Sequence, residues 1–246
     1  MNKPADSRLL HFGPDTYYLG EGCPADREES YYELFFDPVR LRQEIVIKKA
    51  AGGRGQALLF EYEEHALISR HYLRGGLWGR LMGDKFCAAL PGNARAADEF
   101  ELLLKLRALG LPVPVPYLAR VRRQGWYLLN DLCEYQLPDT QNLAEILATR
   151  ELSVTEYQTV GQCLKRFFKA GVLHSDLNLR NILLNSRGEC FVIDFDKCST
   201  GLVGPSQAGA MLQRLERSFL KECRLRPDTH YNGECFKTLR ESAELV

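Results

Sequence analysis

The sequence predicts an α+β fold in two lobes, a small strand-rich N-lobe and a reduced helical C-lobe. Three observations carry that expectation. Short strand-like runs crowd the first half, helical periodicity dominates the second, and a looser stretch, NDLCEYQLPDT, divides them. The N-lobe is placed at 1–130 and the C-lobe at 131–246.

Residues 1–30 are polar and rich in Gly, Pro and acid, and read as a loosely ordered lead-in. Ile45–Lys49, Ala57–Tyr62 and Ala66–Tyr72 then read as strands between Gly-rich or acidic breaks. A helix follows. Asn93 is its N-cap, Phe100, Leu103, Leu104 and Arg107 obey i, i+3, i+4, i+7 spacing, and Gly110 and Pro112 mark its end. The stretch PVPVPYLARV leads into a further strand at Trp126–Leu129.

The C-lobe opens with a helix near 142–149. The next helix is better marked: Ser153 and Glu156 form an S-x-x-E capping box, and Gly171 closes the turn. Between them, Tyr157, Val160, Leu164, Phe167 and Phe168 make an apolar stripe of helical period. Strands Ile182–Leu184 and Phe191–Ile193 flank the turn NSRGE, and a last helix, about 206–224, carries Met211, Leu212, Leu215 and Phe219.

Composition narrows the function classes. The 246 residues are 45% hydrophobic and 26% charged, as in ordinary globular proteins. Net charge is zero, so no nucleic-acid partner is expected, and an anionic partner must be met by a local basic patch. Eight cysteines contain no CxxC pair, which argues against zinc or thioredoxin-like chemistry and for reduced thiols in a cytosolic protein. Neither an N-terminal export signal nor a membrane-spanning apolar run is visible, so work at a membrane would be done on its surface.

His174-Ser175-Asp176 directly follows the Ser153-capped helix, with Asn181 five residues past the aspartate and Asp194-Phe195 after the run Phe191-Val192-Ile193. This is the H-x-D-x-x-x-x-N … D-F order of protein-kinase-like enzymes. Phosphoryl transfer needs those residue types. The attacking hydroxyl needs a proton acceptor, the role open to Asp176. Mg²⁺ on the triphosphate needs hard oxygen ligands, which Asn181 and Asp194 supply. Singly, each has a bland reading: a buried histidine, an asparagine starting a strand, an aspartate capping a turn. Their joint order and spacing favour chemistry.

For ATP itself, Gly53 and Gly55 of Gly52-Gly53-Arg54-Gly55 lie between two strand candidates, as a phosphate-covering loop should, though a plain turn has the same composition. The following strand should carry a lysine for the phosphates and has Arg70 instead, which keeps the charge. Glu99 shares a helical face with Leu103 and Leu106 and is the carboxylate expected to pair with it, against a solvent-facing alternative.

From about Phe35 to Lys221, the chain resembles the 3-deoxy-D-manno-octulosonic acid (Kdo) kinase family, which is related to lipopolysaccharide heptose kinases. The resemblance lies in FFDP, GRG, ISRHYLRGG, LGLPVP, HSDLNLRNILLN, VIDFDK and LQRLERS. It implies transfer of the ATP γ-phosphate to the 4-hydroxyl of Kdo on a Kdo–lipid A precursor, at the cytoplasmic face of the inner membrane as a peripheral protein.

Departures from the wider kinase pattern matter. Ser175 stands where protein kinases usually carry arginine, which suggests constitutive activity. Asn178 takes the place of the catalytic-loop lysine, leaving Arg180 or Lys197 to supply that charge. Asp196 replaces the glycine of DFG and is either a second metal-site carboxylate or a turn residue. The 52 residues after Asp194 are few for a peptide-docking lobe, which favours a small-molecule or lipid-sugar acceptor over a peptide. A small atypical protein kinase and a non-catalytic nucleotide-binding protein are the rival readings. The second would be expected to lack Asp176, Asn181 or Asp194, and none is missing. For the anionic membrane surface, Tyr72–Lys85 interleaves Arg74, Arg80 and Lys85 with Leu73, Leu77, Trp78 and Leu81; it reads as a headgroup-level loop or as N-lobe core.

Overall fold

The computed structural model describes residues 8–45, 47–51, 57–73 and 83–245. Two compact units emerge: the chain up to Lys105 with Pro114–Gln136, and Leu106–Val113 with the chain from Leu137 onward.

The first unit holds β1 (Arg8–Phe12), β2 (Asp15–Leu19), α1 (Glu29–Leu34), α2 (Pro38–Glu44), β3 (Ile47–Ala51), β4 (Ala57–Tyr62), β5 (His65–His71), β6 (Phe86–Cys87), most of α3 (Arg95–Ala108), β7 (Pro116–Gln124) and β8 (Tyr127–Tyr135). The strands form one antiparallel sheet in the order β1-β2-β7-β8-β5-β4-β3, with β6 added to β8. Tyr17, Tyr32, Phe35, Phe60, Leu67 and Tyr117 form its main core. Burial of such aromatic and aliphatic side chains contributes roughly 1.5–3 kcal/mol each. α2 starts cleanly because Asp37 accepts from the backbone N–H groups of Val39 and Arg40, with Pro38 at a position that needs no donor.

The lead-in expected at 1–30 is corrected here. Within it, β1 and β2 form a hairpin, and β2 is held by β7, Asp15 opposite Arg122 and Leu19 opposite Leu118. Its partner lies about a hundred residues away, so no local pattern announces it. β8 also runs longer than the strand expected at Trp126–Leu129, taking in NDLCEY and crossing the 130/131 boundary. It is paired along that whole length, by β7 on one side and β5 on the other.

The second unit holds β9 (Thr140–Asn142), α4 (Leu143–Leu147), α5 (Val154–Lys169), β10 (Val172–Leu173), β11 (Ile182–Asn185), β12 (Cys190–Val192), β13 (Ser199–Thr200), α6 (Pro205–Leu225) and α7 (Gly233–Ala243). β12-β11-β9 make a small sheet and β10-β13 a two-stranded ribbon. The capping box of α5 is present, Ser153 Oγ accepting from Glu156 N while the Glu156 carboxylate accepts from Ser153 N. Gly161 lets α5 meet α7 closely, since a Cβ there would lie 2.4 Å from Leu239 O. Gly171, at φ +75°, ends α5, and a Cβ there would strike Gly201 O at 2.1 Å. Leu106–Val113 joins this unit through Arg166 Nη2 donating to Gly110 O (2.6 Å) and Val192 N donating to Pro112 O (3.1 Å). The helix α7 was not anticipated from the sequence. Its Phe236 packs edge-on against Phe219 of α6, with ring centroids 5.4 Å apart.

Candidate active site

The turn between β10 and β11 carries Asp176 and Asn181, and the turn after β12 carries Asp194. The β11–β12 hairpin pairs Ile182 with Val192, which brings the residues just before one strand beside those just after the other. Ile193 N then donates to Asn181 O at 3.0 Å. The outcome is a single cluster within one unit. Asn181 Nδ2 donates to Asp176 O at 3.0 Å and faces Asp194 Oδ2 at 3.5 Å. With the amide nitrogen so engaged, the Asn181 amide oxygen is the atom fit for a ligand role. Asp194 (φ 65°) and Lys197 (φ 57°) take left-handed backbone conformations, turning the chain sharply as it leaves β12.

His174 is structural. It is 6% exposed, its ring packs on Phe195 at 5.1 Å, and its Nδ1 accepts from Asp176 N at 3.2 Å. That leaves Nε2 as the protonated nitrogen, donating to Ile193 O at 3.2 Å. Histidine thus ties the Asp176 loop to the strand leading to Asp194. Phe195 is fully buried and stacks on Phe167 of α5, anchoring the second turn.

Asp176 points outward, with its side chain 60% exposed. Asn178 Nδ2 donates to Asp176 Oδ2 at 3.2 Å, so the residue at the catalytic-loop lysine position serves as a holder of the carboxylate. Arg180 donates through Nη2 to both oxygens of Glu222, at 2.8 and 2.9 Å. The arginine that reaches Asp176 is Arg214 of α6, with Nη1 3.2 Å from Oδ1. The motif LQRLERS does not by itself mark Arg214 as a site residue; the periodicity of α6, with Leu212 and Leu215 buried, turns it outward.

Ser175 Oγ donates to Asp196 O at 2.8 Å, and Cys198 Sγ accepts from Ser175 N at 3.3 Å. Ser175 thereby braces the Asp194 turn. A cavity of about 570 Å³ opens beside Asp176, walled by Asn178, Arg180, Arg214, Arg217 and Lys221.

In the first unit, Arg70 of β5 donates to Glu99 Oε1, and Tyr72 OH donates to Glu99 Oε2. Glu99 is 2% exposed, and Glu134 lies 3.6 Å from the same Arg70 nitrogen. Burial pushes the Tyr72 hydroxyl far above its ordinary pKa, so it stays a donor. Adjacent residues of β5 face the other way. His71 Nδ1 meets Asp131 Oδ1 at 2.6 Å, and Asp131 accepts from Arg120 at 2.8 and 2.9 Å, a row across β5, β8 and β7. Gly53, Gly55 and the segment from Arg74 to Arg80 with Trp78 lie outside the described residues.

Asp194 and Asn181 suit a hard divalent ion: one carboxylate and one amide oxygen on adjoining turns. Among the described residues, the carboxylate cluster Asp15–Glu29–Glu33 is a different feature, because Arg122 bonds both Asp15 and Glu33. No helix among the described residues is long and apolar enough to cross a membrane.

A family model described as "Lipopolysaccharide kinase (Kdo/WaaP) family" matches residues 39–237. The 3-deoxy-D-manno-octulosonic acid kinase of Vibrio parahaemolyticus serotype O3:K6 is 36% identical over 193 residues, covering 78% of this chain and 80% of that protein. The protein of the same name from Photobacterium damsela subsp. piscicida is 37% identical over 191 residues, covering 77% and 79%. Among solved structures, the bifunctional kinase-methyltransferase WbdD aligns with TM-score 0.45 at 16% identity, covering 77% of this chain and 43% of that one.

Proposed function

The chain belongs to the lipopolysaccharide kinase (Kdo/WaaP) family and is a phosphotransferase, and from that premise we propose that it moves the γ-phosphoryl group of ATP onto the 4-hydroxyl of Kdo in a Kdo–lipid A acceptor. The observation that supports the reading best is the cluster of Asp176, Asn181 and Asp194, joined through the Asn181 amide.

In this reading Asp176 accepts the proton of the attacking hydroxyl as the oxygen–phosphorus bond forms and ADP leaves. Asn178 fixes one carboxylate oxygen, and the other, which Arg214 pairs with in this structure, would meet the acceptor hydroxyl once that arginine gives way. Asn181 and Asp194 would hold Mg²⁺, which when bound spreads the negative charge of the phosphates. Arg70 would meet phosphate oxygens, with Glu99 and Tyr72 fixing its guanidinium, and Gly53 and Gly55 would cover the phosphates. Family relatives named Kdo kinase favour a Kdo-bearing acceptor, and a lipid-linked acceptor favours peripheral work at the cytoplasmic face of the inner membrane.

The test is mass spectrometry of Kdo–lipid A after incubation with the protein, ATP and Mg²⁺. One added phosphate mapping to the Kdo 4-position is expected. An unchanged acceptor, or phosphate on lipid A alone, would refute the proposal.

A further inference from the structure

The wall of the cavity beside Asp176 is strongly basic on one side. Arg214, Arg217 and Lys221 follow one another at spacings of three and four, which sets them along one face of α6. Like charges so placed weaken a helix. Neighbouring acids do not relieve them. Glu216 is bound by Arg240 at 2.6 Å, and the buried Glu222 is bound by Arg180 at 2.8 Å and Arg226 at 3.4 Å. Among the described residues, Arg217 and Lys221 have no acidic partner within salt-bridge distance, although the chain as a whole carries equal numbers of acids and bases. Arg214 alone has one, and it is Asp176.

We propose that Arg214, Arg217 and Lys221 bind the carboxylate of an acidic-sugar acceptor and thereby set its hydroxyl against Asp176. This rests on the phosphotransfer reading above. The cavity, about 570 Å³, falls within the size range of small-molecule sites, about 300–1,000 Å³. Its geometry selects the sugar's own carboxylate over more distant lipid phosphates. The reacting hydroxyl must come within hydrogen-bond reach of Asp176, and Arg214 Nη1 lies 3.2 Å from Asp176 Oδ1, so an anion on the same ring as that hydroxyl is the one nearest this face of α6. Arginine forks match carboxylates in paired hydrogen bonds, and lysine adds a point charge beside them.

Arg214 gives the site a coupling. Its side chain is 50% exposed, and in this structure it sits on Asp176. An acceptor carboxylate competes for that guanidinium and releases Asp176 for the proton. An acceptor without the carboxylate leaves the ion pair in place. Arg214, Arg217 and Lys221 are thus positioning and specificity residues.

The experiment uses the full chain and two probes, the methyl glycoside of the free acid sugar and the methyl ester of the same compound. Binding is read by ligand-observed NMR and turnover by phosphate incorporation. Wild type should bind the acid at least about tenfold more tightly than the ester, as expected for a charge-assisted pair. Arg217→Ala/Lys221→Ala should lose most of that preference and raise the acceptor KM about tenfold with the ATP KM little changed. Equal binding of acid and ester by wild type, or a variant that keeps the preference, overturns the proposal. A variant that loses only its binding to phosphatidylglycerol vesicles also overturns it and assigns the face to lipid headgroups. If the acid preference is present and removed by the variant but neither probe is phosphorylated, the anion site stands and the phosphotransfer reading falls. Phosphorylation of acid and ester alike by wild type and variant leaves that reading standing and removes the anion site.

Discussion

Arg70 on β5 and Glu99 on α3 form an ion pair in which the carboxylate is almost wholly buried and its second oxygen is taken by Tyr72. Twenty-nine residues separate the partners; the sequence points to Arg70 by its strand position, where a lysine is expected, and to Glu99 by the helical face it shares with Leu103 and Leu106. The pairing itself is a property of the fold; its use on nucleotide phosphates belongs to the proposal.

Arg70→Ala should strand the Glu99 charge and lower stability by about 3 kcal/mol, the usual scale for breaking a buried pair. It should also weaken ATP binding, and Arg70→Lys should restore part of both. Urea melts and nucleotide titrations on the two variants check this. Unchanged ATP affinity in Arg70→Ala would transfer the phosphate role to another cation.

Asp194→Asn should shift the Mg²⁺ dependence of ATP binding to higher concentrations, because a hard dication loses its anionic ligand. Isothermal titrations at graded Mg²⁺ measure it. Superimposable curves for variant and wild type would take Asp194 out of the metal site.

His71 makes stability depend on pH. Burial works against its charged form, but hydrogen bonds and charges from Asp131 and then Asp84 outweigh it, so its pKa lies above the ordinary 6.5. A raised folded-state pKa contributes stability that is complete below pH 6.5 and disappears as pH rises through the folded value. Thermal melts should therefore show a loss above pH 6.5 that His71→Gln lacks. Parallel wild-type and variant profiles would contradict it.

Ser153→Ala should cost about 1 kcal/mol, the usual value of an N-cap. Its capping partner Glu156 is held down to about 2 from 4.5, chiefly by Arg150, against burial, with Ser153 adding hydrogen bonds. A depressed carboxyl stabilises above pH 4.5 and ceases to do so as pH falls through about 2. Acid unfolding of Glu156→Gln should accordingly be shallower than that of wild type between those limits, as circular dichroism can follow.

Much of the site was legible because its chemistry is local. Asp176, Asn181 and Asp194 sit on two turns flanking one short hairpin, so spacing along the chain encodes their meeting. The Ser153–Glu156 box is local in the same sense. What escaped depends on distant pairing. β2 needs β7, and the row Arg120–Asp131–His71 spans three strands. Arg214 reaches Asp176 across 38 residues, which no turn or periodicity rule connects.

Asp176→Asn keeps shape and removes basicity, and so tests the proton acceptor most directly. Single-turnover phosphorylation of Kdo–lipid A should slow by at least about 10²-fold, while ATP affinity measured on the same preparation stays near wild type. A variant that phosphorylates the acceptor at close to the wild-type rate would contradict the assignment of Asp176 as the proton acceptor.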